Sequence, residues 1–93
     1  MYSILIYDIH LDKKGKRVLR EIFKTAKKYM IHIQNSVFEG ELSPDQYKNL
    51  SSELKKYLRE GLDSCIIFSS RNIKWMDKDF IVKETENKTD TFL

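Results

Sequence analysis

The run of apolar residues from Tyr2 to Ile9 is the clearest β-strand pattern in the chain. Side chains alternate across a strand, so one face would carry Ile4, Ile6 and Asp8, and the other Leu5, Tyr7 and Ile9. Both faces are therefore apolar, which is typical of a strand in the middle of a sheet that is covered on both sides. Asp8 stands where the apolar run ends and a polar, basic loop begins, which makes it a candidate functional residue.

The second pattern, from about Lys13 to Tyr29, has the spacing of an amphipathic helix, with Asp12 as its predicted N-cap. Its apolar side is formed by Val18, Leu19, Ile22, Phe23, Ala26 and Tyr29. Its opposite side, which we call the basic stripe, is formed by Lys13, Lys16, Arg17, Arg20, Lys24, Lys27 and Lys28. Like charges at four-residue spacing repel, and a solvated face usually mixes charge signs. The basic stripe therefore favours binding to nucleic acid or another polyanion over an ordinary solvent-exposed face.

The alternating segment Met30–Leu42 predicts two short strands joined by a tight turn near Asn35 and Ser36. One long strand with a bulge is the alternative, and we favour the hairpin. His32 lies in this segment and could bind a metal or contact a phosphate, but a single histidine on a strand is more often structural. Both interpretations of His32 stay open from the sequence.

A second helix is predicted from the sequence Ser43-Pro44-Asp45-Gln46, which combines an N-cap, a proline at the first helical position and a capping box. Leucines and tyrosines then recur at helical spacing until Gly61, the predicted stop. Two further strands are predicted, one over Ser64–Ser69 that is apolar on both faces and a short one over Phe80–Val82. The polar end of the chain, Lys83–Leu93, has the composition of a flexible tail.

This order of elements is the split βαβ arrangement of an α+β, ferredoxin-like fold, βαββαβ, with both helices on one face of an antiparallel sheet. We expect a ferredoxin-like domain over residues 1–78, and an extra C-terminal strand with a flexible tail over residues 79–93. The second face of the sheet would be bare and apolar. A face of that kind predicts a sheet-to-sheet homodimer with two-fold symmetry.

Composition narrows the class of protein without changing this fold. The 93 residues suit one small domain, without a membrane-spanning apolar run or a secretory signal pattern, so we expect a cytoplasmic protein. The net charge is only +3, but residues 13–28 hold eight of the 17 Lys and Arg and a single acid. This concentration of positive charge points to a polyanionic partner. Cys65 lies in an apolar strand and is predicted to be a core residue rather than a nucleophile.

A two-fold axis would change the chemistry of Asp8. Two symmetry-related carboxylates repel each other unless a cation or a proton lies between them. Hydrated Mg²⁺ or Mn²⁺ needs only one or two protein carboxylates when phosphate completes its coordination, and such an ion can activate water for attack on a phosphodiester. The alternative is that Asp8 caps a loop or forms a salt bridge, and the residue pattern by itself is compatible with both.

Three groups of residues resemble the CRISPR-associated Cas-two family, small proteins that act with the Cas-one integrase in spacer acquisition. They are Ile6-Tyr7-Asp8-Ile9, the Lys/Arg-rich helix start with Arg17, and Gln34-x-Ser36-Val37-Phe38-Glu39-Gly40-Glu41-Leu42, which is the most specific. The resemblance covers about residues 1–70. It implies a ferredoxin-like homodimer that either cleaves single-stranded RNA or double-stranded DNA with a divalent metal, or has a structural role in the integrase complex.

Carried over to this sequence, the resemblance implies Asp8 as the ligand of Mg²⁺ or Mn²⁺, and Asp8, Tyr7 and Arg17 as catalytic residues. The expected contacts to nucleic acid combine five residues of the basic stripe with two residues of the hairpin segment: Lys13, Lys16, Arg17, Arg20, Lys24, His32 and Phe38. Departures from the family pattern occur at Gly15 and His32, where several members have arginine, and at Asn35, where tyrosine is common.

The expected function is that of a homodimeric nucleic-acid-binding adaptor of the Cas-one integrase, with divalent-metal-dependent endonuclease activity as a further capacity. A purely structural DNA-binding dimer without catalysis is one alternative. A toxin-type ribonuclease of the same fold is another, and the motif over residues 36–42 argues against it.

Overall fold

Six regular elements and one turn of 3-10 helix make up the described part of the chain, residues 1–82, in this computed structural model. They are β1 (Tyr2–Asp8), α1 (Gly15–Tyr29), β2 (Ile31–Gln34), β3 (Val37–Glu41), α2 (Pro44–Lys55) and β4 (Ser64–Ser70), followed by the 3-10 helix Ile73–Trp75. The predicted tail, Lys83–Leu93, lies outside the described residues. The order from β1 to β4 confirms the predicted α+β arrangement.

The four strands form one antiparallel sheet in the order β2-β3-β1-β4, so β1 lies between two neighbours as predicted. Both helices pack on one face of this sheet, which is the ferredoxin-like fold. The ladder between β1 and β4 runs from Tyr2 opposite Ser70 to Asp8 opposite Ser64. Asp8 therefore lies at the end of the ladder, beside the beginning of β4.

The core lies between the sheet and the two helices, and β1 contributes Leu5 and Tyr7 to its centre. The other buried apolar residues are Ile9, Val18, Leu19, Ile22, Ala26, Met30, Phe38, Leu42, Leu50 and Leu54. Cys65 packs against this core, as predicted. Burial raises the pKa of its thiol to about 11, which keeps the thiol protonated near neutral pH.

The predicted hairpin between β2 and β3 is confirmed, with an irregular register between His32 and Gln34. Its turn places Asn35 in the left-handed region, with φ of 40°. Asparagine adopts this conformation more readily than most other residues because its short polar side chain can hydrogen-bond locally. The presence of asparagine here, where tyrosine is common in the resembled family, is therefore explained by the left-handed backbone conformation.

The predicted capping box of α2 is confirmed. The Gln46 amide donates to the Ser43 hydroxyl oxygen at 3.1 Å, and the Ser43 amide donates to the Gln46 side-chain oxygen at 2.9 Å. The helix ends at Lys55, several residues before the predicted stop at Gly61. Gly61 has φ of +81° and belongs to the turn that leads into β4, so its left-handed conformation marks that turn rather than the end of the helix.

The start of α1 differs from the prediction. The helix begins at Gly15 rather than near Lys13, and the Asp12 carboxylate accepts a hydrogen bond from the Lys14 amide at 3.2 Å within the preceding turn. A Cβ atom on Gly15 would lie 2.3 Å from the carbonyl oxygen of His10. The prediction of Asp12 as N-cap is therefore wrong. The presence of glycine at position 15, where several members of the resembled family have arginine, has a steric explanation.

The face of the sheet opposite the helices, which we call the open face, carries apolar side chains of β1 and β4. Ile6, Ile66 and Phe68 are 39%, 52% and 53% exposed. Asp8 follows Ile6 on the same side of β1 and is also exposed. The alternation predicted for the first strand is thus confirmed on both of its sides.

The segment Phe80–Val82, predicted as a strand, has no strand structure in the described chain. It crosses the open face, where residues 78–82 enclose a cleft of about 370 Å³ with Ile4, Val37 and Glu39. Lys78 forms an ion pair with Glu39 at this crossing. The single chain does not show the predicted strand, because the segment lies over the sheet rather than along a hydrogen-bonding edge.

Candidate metal site and nucleic-acid interface

Asp8 presents an exposed carboxylate at the end of β1, on the same side as the apolar open face. Among the described residues, no side chain forms an ion pair or a hydrogen bond with this carboxylate. The alternative of a salt-bridged or loop-capping Asp8 therefore has no partner within residues 1–82. An exposed carboxylate of this kind can bind a cation.

The described part of one chain does not complete a metal site around Asp8. It contains no group of three or more His, Cys, Asp or Glu residues that could hold an ion. Mg²⁺ and Mn²⁺ fit a single carboxylate only when water, phosphate or a second carboxylate supplies the remaining ligands. Asp8 thus suits one half of a shared site, and it is the residue of this chain that would hold the ion.

The basic stripe lies on α1 except for Lys13, which stands just before the helix, and it is exposed along its whole length, including Arg17. Within the described residues, its ion pairs are those of Lys24 with Glu21, at 3.9 Å, and Lys28 with Glu53. The stripe's other cations have no acidic partner there. Uncompensated positive charge on one helix face is the electrostatic requirement for contacts to phosphates.

Tyr7 and Phe38 need correction as contact residues, because both are buried on the helix side of the sheet. Tyr7 is 3% exposed and Phe38 is 0% exposed. Their rings stack with centroids 6.2 Å apart. Burial raises the pKa of Tyr7 to about 12, so its hydroxyl stays protonated near neutral pH. Both residues belong to the core and reach neither nucleic acid nor a metal on the open face.

His32 also has a structural environment. Its ring lies 4.9 Å from the rings of both Phe23 and Phe38, and its Nε2 atom lies 2.8 Å from the carbonyl oxygen of Asn35. The ring therefore packs between aromatic residues and ties the hairpin turn to β2. This geometry favours the structural interpretation of His32 over a phosphate contact.

Two residues that the sequence patterns did not single out, Arg59 and Asp63, hold the loop after Asp8 in place. Asp63 accepts hydrogen bonds from the His10 amide at 2.9 Å and from Nε of Arg59 at 3.0 Å. Arg59 also donates from Nη2 to the His10 carbonyl oxygen at 2.7 Å, and from Nη1 to Asp12 at 2.5 Å. We call this group of residues the Arg59 clamp. The i,i+4 spacing of Arg59 and Asp63 was a signal for the pair, but nothing local pointed to its partners about fifty residues away.

Comparison with known proteins identifies the family. Residues 1–78 match the family described as CRISPR associated protein Cas2. This is the Cas-two family that the motif residues resemble. The chain belongs to the Cas2 family. The resemblance read from the motif residues is thereby confirmed.

Curated relatives extend the similarity to the Cas2 family over the full length of this chain. The CRISPR-associated endoribonuclease Cas2 of Fusobacterium nucleatum is 54% identical over 93 residues, which cover 100% of this chain and 87% of the relative. The CRISPR-associated endoribonuclease Cas2 2 of Moorella thermoacetica is 41% identical over 91 residues, covering 97% of this chain and 99% of the relative.

Solved structures confirm the Cas2 fold. The crystal structure of Streptococcus pyogenes Cas2 at pH 6.5 superposes with a TM-score of 0.73 at 25% identity, covering 85% of this chain and 98% of that one. A second crystal structure of a Cas2 protein gives a TM-score of 0.63 at 32% identity, covering 91% and 95%. No helix within residues 1–82 has the length and apolar character needed to cross a membrane.

The Arg59 clamp predicts a loss of stability in acid. Hydrogen bonds from Arg59 lower the pKa of Asp63 from 3.8 to about 2. A carboxyl whose pKa is lower in the folded than in the unfolded state stabilises the fold above its unfolded pKa, and this contribution disappears as the pH falls through the folded value. The free energy of unfolding should therefore decrease between about pH 4 and about pH 2 in this Cas2 protein.

Urea denaturation across this pH range measures the effect. Asp63→Asn should be less stable than the wild type at pH 6 and should lose less stability on acidification, because the titrating group is gone. Asp77→Asn is the matched control, since Asp77 is exposed and forms no ion pair with a described residue. Parallel pH profiles for the wild type and Asp63→Asn would contradict the prediction.

Proposed function

We propose that this Cas2 family member is a homodimeric, cytoplasmic nucleic-acid-binding adaptor that works with the Cas-one integrase in CRISPR spacer acquisition. The observation that carries this proposal is the exposed basic stripe of α1, whose cations are mostly without acidic partners among the described residues. The helix has 15 residues, so the stripe extends over roughly 20 Å at 1.5 Å per residue. A stripe of that length can follow several successive phosphates of a duplex.

The open face supports the homodimer. Ile66 and Phe68 are about half exposed, next to Ile6 on the central strand. A contiguous apolar surface of this kind is stabilised when a partner covers it, and a second copy offers the same surface in return. A two-fold axis through this face would bring the Asp8 carboxylates of two protomers toward each other.

Metal-dependent cleavage is the second part of the proposal. The curated relatives are named endoribonucleases, and Asp8 is an exposed carboxylate that can hold Mg²⁺ or Mn²⁺. A bound ion would supply a nucleophilic water and stabilise charge on a phosphodiester of RNA or DNA. Arg17, exposed on α1, would contact the phosphate. Tyr7 has no direct part in this arrangement because it is buried.

Removing charges from the basic stripe should weaken binding to duplex DNA. The triple variant Lys16→Ala, Arg20→Ala, Lys24→Ala is expected to reduce affinity at low salt, and to reduce the slope of log affinity against log salt by roughly two to three, since each phosphate contact contributes about 0.9. Fluorescence anisotropy of a labelled duplex at several salt concentrations measures both quantities. Asp8→Asn should leave them unchanged.

A second triple variant, Lys48→Ala, Lys55→Ala, Lys56→Ala, provides the matched control because it removes three exposed cations from α2 and the residue after it. Its salt slope should equal that of the wild type. Equal losses in the two triple variants would mean that net charge rather than the stripe determines binding. Binding that does not depend on salt would contradict the proposal directly.

A charge on the open face should separate the dimer. Ile66→Asp places a carboxylate in the centre of the proposed interface, where burial without a partner is unfavourable. Sedimentation velocity should show a shift from dimer to monomer at micromolar concentration. Leu11→Asp is the control, since Leu11 is equally apolar and exposed but lies in the loop before α1. A dimer that persists in Ile66→Asp would place the interface elsewhere.

Asp8→Asn should abolish cleavage while leaving the fold and the dimer intact, because asparagine has nearly the same shape but lacks the negative charge that holds the ion. Cleavage of labelled RNA and of duplex DNA is measured with Mg²⁺, with Mn²⁺ and with EDTA. Asp45→Asn, on the first turn of α2, is the control for loss of one exposed carboxylate. Equal metal-dependent cleavage by Asp8→Asn would exclude the site, and a wild type without cleavage would leave the non-catalytic adaptor as the function.

A further inference from the structure

We infer that the Arg59 clamp is a positioning device for the metal site, holding the loop after Asp8 so that the Asp8 carboxylate keeps one placement relative to α1. This inference rests on the proposed metal site at Asp8. It assigns a functional role to Arg59 and Asp63, although neither would itself be a ligand of the ion. The clamp joins two chain segments that flank Asp8 in space, the loop that follows β1 and the turn that precedes β4.

The carbonyl oxygen of His10 is the central point of the loop. It accepts hydrogen bonds from Arg59 at 2.7 Å and from the Asp12 amide at 3.1 Å. Gly15, the first residue of α1, packs so closely against this oxygen that a Cβ atom would not fit. The path from Asp8 to α1 is therefore fixed at its middle, and the clamp acts at that point.

Both oxygens of the Asp63 carboxylate accept hydrogen bonds within the clamp. Its side chain is 0% exposed, and its two oxygens accept four hydrogen bonds, one from the His10 amide and three from the backbone amide, Nε and Nη2 of Arg59. Planar, forked donation to a carboxylate requires a guanidinium, because the ammonium group of lysine is a single point of charge. Arg59→Lys would preserve the charge but lose the fork.

The position of the clamp connects it with Asp8. Ser64, the residue after Asp63, pairs with Asp8 in the ladder between β1 and β4. His10, which Asp63 and Arg59 hold by its amide and its carbonyl, is two residues beyond Asp8. The clamp thus fixes the chain on both sides of the carboxylate that would bind the ion. Loosening it would allow the Asp8 end of β1 to adopt several placements, and a ligand held in several placements binds a metal less well.

The test uses the full chain and Mn²⁺ alone. Binding is followed by paramagnetic broadening of the backbone amide signals next to Asp8, and the exchange rates of the Asp12 and Gly15 amides report the order of the loop. Arg59→Lys and Asp63→Asn should accelerate amide exchange at least tenfold and raise the apparent dissociation constant for Mn²⁺ at least threefold. Arg59→Lys is expected to fold even where Asp63→Asn does not, and Asp12→Asn gives a milder third variant.

Glu53→Gln is the matched control. Glu53 accepts hydrogen bonds from Lys28 and Tyr29 and so ties α1 to α2, far in sequence from the loop after Asp8. It should lower thermal stability without changing Mn²⁺ affinity or the loop amides, which separates positioning from general loss of stability. Unchanged Mn²⁺ affinity in the clamp variants, despite faster loop exchange, would overturn the inference.

The wild type and Asp8→Asn distinguish this failure from failure of the metal site itself. If Mn²⁺ does not broaden these signals in the wild type, or if it broadens them equally in Asp8→Asn, the proposed metal site is wrong. The positioning role is then wrong as well. If that broadening is present and the clamp variants retain it in full, only the role of Arg59 and Asp63 is wrong.

Discussion

The alternation of side chains along β1 is the constraint on which the rest of the molecule depends. β1 is a central strand with apolar side chains on both faces, so the fold is stabilised when something apolar covers each face. The helices cover the face of Leu5 and Tyr7, and this requirement explains why α1 and α2 both carry apolar stripes that meet there. The other face holds Ile6 beside Ile66, with no helix to cover them. The fold, the proposed dimer and the placement of Asp8 all follow from this one pattern.

The main elements were predictable because their signals are local. The capping box at Ser43 and the apolar spacing of α1 each specify an element within a few residues, and the order of elements then specifies the topology. The ends of helices were predicted less well. Asp12 has the residue type of an N-cap, but Arg59 and the turn before Gly15 use its carboxylate instead. Gly61 has the residue type of a helix stop, but the chain leaves the helix at Lys55.

The features of the candidate site were likewise predictable only where their sequence signals are local. Exposed charge could be predicted from pattern alone, since the cations of α1 face away from the apolar arc. Burial of Phe38 and Tyr7 depends on which face of the sheet the helices cover. The sequence motif does not show whether an aromatic residue lies on that face. The Arg59 clamp could not be predicted from the sequence, because its contacts join residues about fifty positions apart and leave no local pattern.

The position of Asp8 at the edge of the open face would link the proposed metal binding to the proposed association of two chains. The described residues of one chain hold no group of three or more metal-ligating side chains, so an ion shared across a two-fold axis would bind the proposed dimer more tightly than the monomer. By thermodynamic linkage, the same ion would then stabilise the proposed dimer to the same extent. Two unscreened carboxylates brought together by the apolar face would oppose association, and a divalent ion removes that opposition. In the proposed dimer, the apolar contact and the metal site would therefore support each other, because burial of Ile66 and Phe68 would bring the carboxylates together and the ion would offset their repulsion.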